Sequence, residues 1–242
     1  MLRAILFDLD DTLFDHSFGA REALAGVHRS HECFATIPFE DFARAHAEHL
    51  EALHQEVLAG RTHIDAARIE RFRRLFRAAG VAGDEAAAAA AVYREAYVRA
   101  RRAVQGAHAL LAALGTHAPI VVVSNNLLAE QREKVEHCGL SPHIDSLVVS
   151  EEVGVAKPDP QIFSIALDRV GARPDEAVMV GDSWAADVVG ALAAGIVPVW
   201  FNPLGRPLPV TSPDVAELRA LEPVEHAVET ILGTHSNRAN RD

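Results

Sequence analysis

Five short, largely apolar runs without polar alternation punctuate this chain: Arg3–Phe7, Ile120–Val123, Leu147–Val149, Ala177–Val180 and Ile196–Phe201. A strand with one wet face alternates apolar and polar residues, so runs that do not alternate belong to strands covered on both faces. Between the later runs lie segments of helical period, near 106–114, 127–138, 160–170 and 185–194, several closed by a glycine (Gly115, Gly139, Gly171, Gly195). Strand and helix alternating through short connections imply right-handed crossovers and a doubly wound parallel sheet, an α/β fold. In such sheets ligands bind at the carboxyl ends of the strands, where the strand order reverses.

Residues 16 to about 101 follow a different rule. They hold no β-branched run, only four amphipathic stretches near 17–33, 39–57, 64–79 and 84–101, separated at Pro38, Gly60-Arg61-Thr62 and Gly80-Val81-Ala82-Gly83. A small all-helical domain, 16–101, inserted after the first strand is expected, with a core domain of 1–15 and 102–233. Asp84 is the expected N-cap of the fourth helix, and the alanine run at 86–91 reads as plain helix, alanine being the strongest helix former. The polar, aperiodic 234–242 is expected to be a flexible tail. His46, His49 and His54 lie in the second stretch, but no His-Glu-x-x-His pattern accompanies them, and they are read as surface residues.

Cys33 and Cys138 are the only cysteines, far apart and in helical stretches, so neither a disulfide framework nor zinc-ligand spacing is present. They are expected to be buried or half-buried small apolar groups. Neither an export signal nor a membrane span is found, and a cytoplasmic location is expected. Lys and Arg number 23 against 34 Asp and Glu, a formal charge of −11, the wrong sign for tracking a nucleic-acid polymer. A small phosphorylated ligand remains compatible, provided its site carries positive charge of its own.

Polar residues gather at the strand ends. The first strand runs into Asp8-Leu9-Asp10-Asp11-Thr12, two carboxylates two residues apart, suited to a nucleophile or metal ligand beside a proton carrier. Ser124-Asn125-Asn126 follows the second, as phosphate holders or as a helix cap. Lys157 stands before Pro158, whose fixed backbone sets the lysine's direction where a helix begins. Asp182, in Gly181-Asp182-Ser183-Trp184, ends the fourth strand, and Asp187 lies five residues on. With Asp8 these are hard oxygen donors from two strands, a set that suits magnesium.

In this order and context, Asp8 to Thr12, Ser124-Asn125, Lys157-Pro158 and Gly181-Asp182 to Asp187 resemble the four motifs of the haloacid dehalogenase superfamily. The resemblance implies a Rossmann-like core and a helical cap of the first class. It makes Asp8 the nucleophile and a metal ligand, and Asp10 the general acid and base, with its backbone carbonyl on the metal. Ser124, Asn125 and Lys157 hold phosphate, Asp182 completes the metal ligands (Asp8, Asp10, Asp182), and Thr12 and Asp187 support them. The implied activity is a magnesium-dependent phosphatase forming an aspartyl-phosphate on a small nucleotide or sugar phosphate. The alternatives are a phosphomutase or dehalogenase of the superfamily, or a non-catalytic regulatory member. The stretch Arg68 to Phe76, with Ser150 to Pro158, resembles the 5'-nucleotidase and N-acylneuraminate-9-phosphatase branch, making Arg68 and Arg71 candidate specificity residues; the other reading is a solvated helix face packed with Glu70. Trp184 either walls the site or packs under the cap. A monomer or homodimer is expected.

Overall fold

The computed structural model describes residues 1–58, 60–209 and 215–239. It divides into two compact units, Met1–Asp15 with Arg102–Asp242, and His16–Arg101.

The first unit is built on six parallel strands: β1 (Ala4–Phe7), β2 (Ile120–Ser124), β3 (Ser146–Val149), β4 (Ala177–Gly181), β5 (Val197–Phe201) and β6 (Ala216–Leu218), in spatial order β3-β2-β1-β4-β5-β6. The central strands β1, β2, β4 and β5 are buried along their whole length, which is why their sequences do not alternate. One face of the sheet presents Leu6, Val121, Val123 and Met179 to Ile162, Phe163 and Ala166 of α8 (Pro160–Asp168) and Ala191 of α9 (Val189–Ala193). Gly190 lets these two helices close up, since a Cβ there would lie 2.8 Å from the Phe163 ring and 3.0 Å from Pro158 Cα. The remaining helices are α5 (Ala107–Leu114), α6 (Leu128–His137), α7 (Ser150–Val153) and α10 (Val224–Ala239).

Three details depart from the sequence reading. A sixth strand, β6, extends the sheet beyond the expected five; at three residues, two of them half-buried, it is too short to show a pattern. The expected flexible tail is helical from residue 234 up to the end of α10, and His235 is buried there with Nε2 3.0 Å from the Asp175 carbonyl; the rest of that expectation, 240–242, lies outside the described residues. The expected helix 185–194 opens with a wide π turn, Trp184–Val188, before α9.

The second unit comprises α1 (His16–Ser30), α2 (Phe39–Leu58), α3 (Ile64–Ala78) and α4 (Ala86–Arg99). Phe34, Phe42, Phe72 and Phe76 fill its centre, with Phe34 4.6 Å from Phe42 and 4.9 Å from Phe76 between ring centroids. The alanine run is helical as read, burying Ala86 and Ala89. Asp84 is not a cap: it sits inside a short 3-10 turn, Gly83–Glu85, and α4 has no side-chain cap. His46 is not on the surface but buried, its ring 5.6 Å from those of both Phe72 and Tyr93. His49 is half-buried, and the side chain of His54 lies outside the described residues. Both cysteines are half-buried thiols.

Candidate functional site

The strand order reverses between β1 and β4: from β1 the chain proceeds outward to β2 and β3, then crosses back to place β4 on the other side of β1. Asp8 follows β1 and Asp182 follows β4, so two carboxylates leave neighbouring strands at the switch point. The Asp8 amide still donates to Val180 O at 2.9 Å, fixing this residue to the sheet. Beyond it the chain turns tightly, with Leu9 O accepting from Leu13 N (3.0 Å) and Phe14 N (2.8 Å). Asp11 takes a left-handed backbone, φ 62°, a conformation aspartate tolerates better than most residues. Thr12, wholly buried, accepts the Asp182 amide on its hydroxyl at 3.1 Å and so ties the two strand ends together.

Carboxylate oxygens of Asp8, Asp182 and Asp187 lie within 4.8 Å of one another. Lys157 Nζ stands 2.6 Å from Asp8 Oδ1 and 2.7 Å from Asp187 Oδ1, the latter an ion contact without good hydrogen-bond alignment. Asp187 is held from its other side by the Ser183 amide, 2.9 Å from Oδ2. Gly181 makes room for it, since a Cβ there would lie 2.4 Å from Asp187 Cγ. Burial raises the Asp8 carboxyl to about 8; Lys157 opposes the shift and Asp187 adds to it. Asp182 is raised to about 6, by burial first and then by Asp187 and Asp11. For Lys157, burial acts downward, but Asp187 and Asp8 outweigh it and hold the ammonium charged. Three carboxylates against one ammonium leave an excess of negative charge that hard oxygen donors ordinarily balance with a cation.

The other expected residues lie around this group in three different ways. Asp10 turns its carboxylate away from the cluster, toward Lys134 Nζ at 2.6 Å from Oδ1 and Gln131 Nε2 at 2.9 Å from Oδ2. Ser124, buried, accepts from Gln131 Nε2. The Asn125 side chain clamps the Lys157 backbone: Nδ2 donates to Lys157 O at 2.8 Å and Oδ1 accepts from Lys157 N at 2.7 Å. This amide clamp holds the backbone of the lysine, and the helix that follows begins at Pro160, capped by Asp159. Trp184 packs edge-on against Trp200 at 5.0 Å, and Trp200 Nε1 donates to Asp182 O at 2.9 Å, bracing the loop after β4.

Arg68 and Arg71 belong to the helical unit and differ from each other. Arg68 pairs with Asp65 at 3.1 Å near the surface. Arg71 is buried with its guanidinium over Tyr93 (4.4 Å) and Phe72 (5.0 Å), so a solvated face does not describe it. Gln131 and Lys134 are the site residues that sequence reading missed. Their signal was available: two polar residues three apart occupy the buried stripe of α6 beside Val135.

The family model of the haloacid dehalogenase-like hydrolases matches residues 2–195. This chain belongs to that family of hydrolases. A phosphoserine phosphatase of Thermus thermophilus is 36% identical over 242 residues, covering 90% of this chain and 97% of its own. The pyrimidine 5'-nucleotidase YjjG of Escherichia coli is 42% identical over 106 residues, 43% of this chain and 47% of its own. Among solved structures, the HAD-hydrolase YfnB of Bacillus subtilis bound to magnesium superposes with a TM-score of 0.74 at 25% identity, covering 94% of this chain and 98% of that one. No described helix is long and apolar enough to cross a membrane.

Proposed function

We propose that this hydrolase is a magnesium-dependent phosphatase acting on a small phosphorylated metabolite, of the nucleotide or sugar-phosphate class, through a covalent phosphate on Asp8. The observation that carries the reading is the convergence of Asp8, Asp182 and Asp187 within 4.8 Å, with Lys157 against Asp8. Asp8 and Asp182, with the Asp10 carbonyl and Asp187 behind them, are the residues that would hold magnesium. When bound, the ion offsets the repulsion between a carboxylate and a dianionic phosphate.

In the first step an Asp8 oxygen attacks phosphorus in line, the bond to the ester oxygen breaks, and Asp10 gives that oxygen its proton. In the second, water attacks the same phosphorus, its proton passes to Asp10, and the Asp8–phosphorus bond breaks to release inorganic phosphate. Lys157 neutralises charge at the attacking carboxylate, and Ser124 holds a phosphate oxygen. Similarity to a phosphoserine phosphatase over 90% of this chain, and partial similarity to a nucleotidase, support a small phosphomonoester. Discrimination among substrates is assigned to the helical cap, 16–101.

The test is release of inorganic phosphate from O-phosphoserine, pyrimidine nucleoside monophosphates and sugar phosphates, with magnesium and with chelator. Wild-type protein is expected to turn over at least one of these only with magnesium, and Asp8→Asn none of them. A phosphoenzyme trapped by acid quench should be discharged by hydroxylamine, the reaction of an acyl phosphate. Undiminished turnover by Asp8→Asn, or halide release from haloacids in chelator, contradicts the proposal.

A further inference from the structure

The Asp8-x-Asp10 pair is served by two lysines, one for each carboxylate. Lys157 belongs to Asp8; Lys134 belongs to Asp10. Lysine is almost never buried unless it is paired, yet Lys134 is 2% exposed, with Nζ 2.6 Å from Asp10 Oδ1 and 5.1 Å from the centre of the Phe14 ring. One turn earlier on α6, Gln131 is fully buried and donates Nε2 to Asp10 Oδ2 at 2.9 Å; Asn126 Nδ2 approaches the same oxygen at 3.3 Å. Both Asp10 oxygens are therefore addressed by donors on or just before one helix. That helix is itself pinned, because the Leu128 amide at its start donates to Glu151 Oε2 at 2.8 Å.

Stability alone does not account for this arrangement. A buried ion pair gains little over apolar residues of the same volume, because desolvation offsets the attraction. What the bracket does is directional. It fixes which way the Asp10 carboxylate faces, with one oxygen on Lys134 and the other on Gln131. So held, the carboxylate stays out of the cluster that Asp8, Asp182 and Asp187 form.

We infer that Lys134 and Gln131 are positioning residues that hold the Asp10 carboxyl aimed at the leaving oxygen of the substrate. The inference rests on the proposed role of Asp10 as proton carrier. It belongs to the first half of the reaction, where the ester oxygen–phosphorus bond breaks and the proton moves from Asp10 to that oxygen.

The experiment compares two leaving groups at saturating magnesium: the best alkyl phosphate from the screen above, whose alkoxide needs a proton to depart, and p-nitrophenyl phosphate, whose phenolate does not. The quantity read is kcat/KM, which covers only steps up to leaving-group departure when that step is irreversible. Lys134→Met and Gln131→Met are each expected to lower kcat/KM for the alkyl ester by about 10²-fold, the scale of a general acid's contribution, and for the nitrophenyl ester by less than about tenfold. Lys134→Arg, which keeps a cationic donor, should regain part of the loss. Equal losses on both esters, or loss on neither, overturn the inference. Should Lys134→Met fail to fold, Lys134→Gln, which removes the charge but leaves the Gln131 bond to Ser124 intact, decides by the same criterion. Wild-type protein inactive on both esters overturns the phosphatase reading itself, a result distinct from equal losses in the variants.

Discussion

Asn125 illustrates how a side chain at the site can act through another residue's backbone. An asparagine after a strand at a phosphate site reads as a donor to phosphate, yet both heavy atoms of its amide are engaged by the Lys157 backbone. Replacing it by alanine removes two hydrogen bonds and is expected to lower stability by about 1–2 kcal/mol, measurable by chemical denaturation. The catalytic loss should be larger than the stability loss implies, because Lys157 Nζ is placed at 2.6 Å from Asp8 through that backbone. Asn125→Asp separates the two effects: it keeps the acceptor but sets an oxygen against Lys157 O, and is expected to be worse than alanine. At this scale the acidic residues were legible in the sequence, since Asp8, Asp182 and Asp187 follow apolar strands. The contacts that aim Lys157 and Asp10 were less so. Asn125, Gln131 and Lys134 act across 32, 121 and 124 residues of chain, and the polar pair on the buried stripe of α6 marks Gln131 and Lys134 without saying which group they meet.

Elements were legible in proportion to their length and burial. The long helices α1 to α4 lie within a few residues of their expected spans because amphipathic period accumulates over several turns, whereas β6 at three residues offers no period. What the helical pattern conceals is the sidedness of polar residues inside it. His46 of α2 is neutral and buried, its pKa lowered to about 3 by burial, then by Arg71 and His49. Its unfolded value is near 6.5, so between these values the unfolded state binds more protons. The stability contribution of neutral His46 is thus complete above about pH 6.5 and is lost as the pH falls toward 3. The helical unit should therefore open on mild acidification, losing on the order of a few kcal/mol by pH 4. His46→Leu, which fills similar space with no titrating group, is expected to flatten this dependence when unfolding is followed by circular dichroism from pH 7 to 4. Arg71→Ala should destabilise the same unit by about 1–3 kcal/mol through lost stacking on Tyr93 and Phe72, while Arg68→Ala changes stability by less than about 0.5 kcal/mol.

For the whole molecule, the site's uncompensated acidity sets a pH dependence opposite in sign to that of His46. Asp8 is raised to about 8 and Asp182 to about 6, both from an ordinary value of 3.8. A carboxyl raised in the folded state binds its proton more tightly there, so its contribution to stability is full below about pH 4 and is lost as the pH rises through the folded value. From pH 6.5 to about 7.5 the unfolded imidazoles of His46 and His49 finish losing their protons, and Asp182 is largely ionised in both states, so Asp8 carries most of the slope that remains up to about pH 8. In chelator, Tm is expected to fall as the pH is raised from 6.5 to 8.5. Under the proposed function magnesium is expected to reverse the sign of that trend, because its ligands bind as carboxylates and the proton held by Asp8 must leave; the Tm gain on adding the ion should grow over the same interval. Asp8→Asn provides the control. The amide cannot ionise, so the variant should be more stable than wild type in chelator at pH 8, with little slope between pH 6.5 and 8.5 and a much smaller response to magnesium. A variant that keeps the wild-type slope would show that the titrating group is not Asp8, and that the charge excess at the switch point is relieved elsewhere.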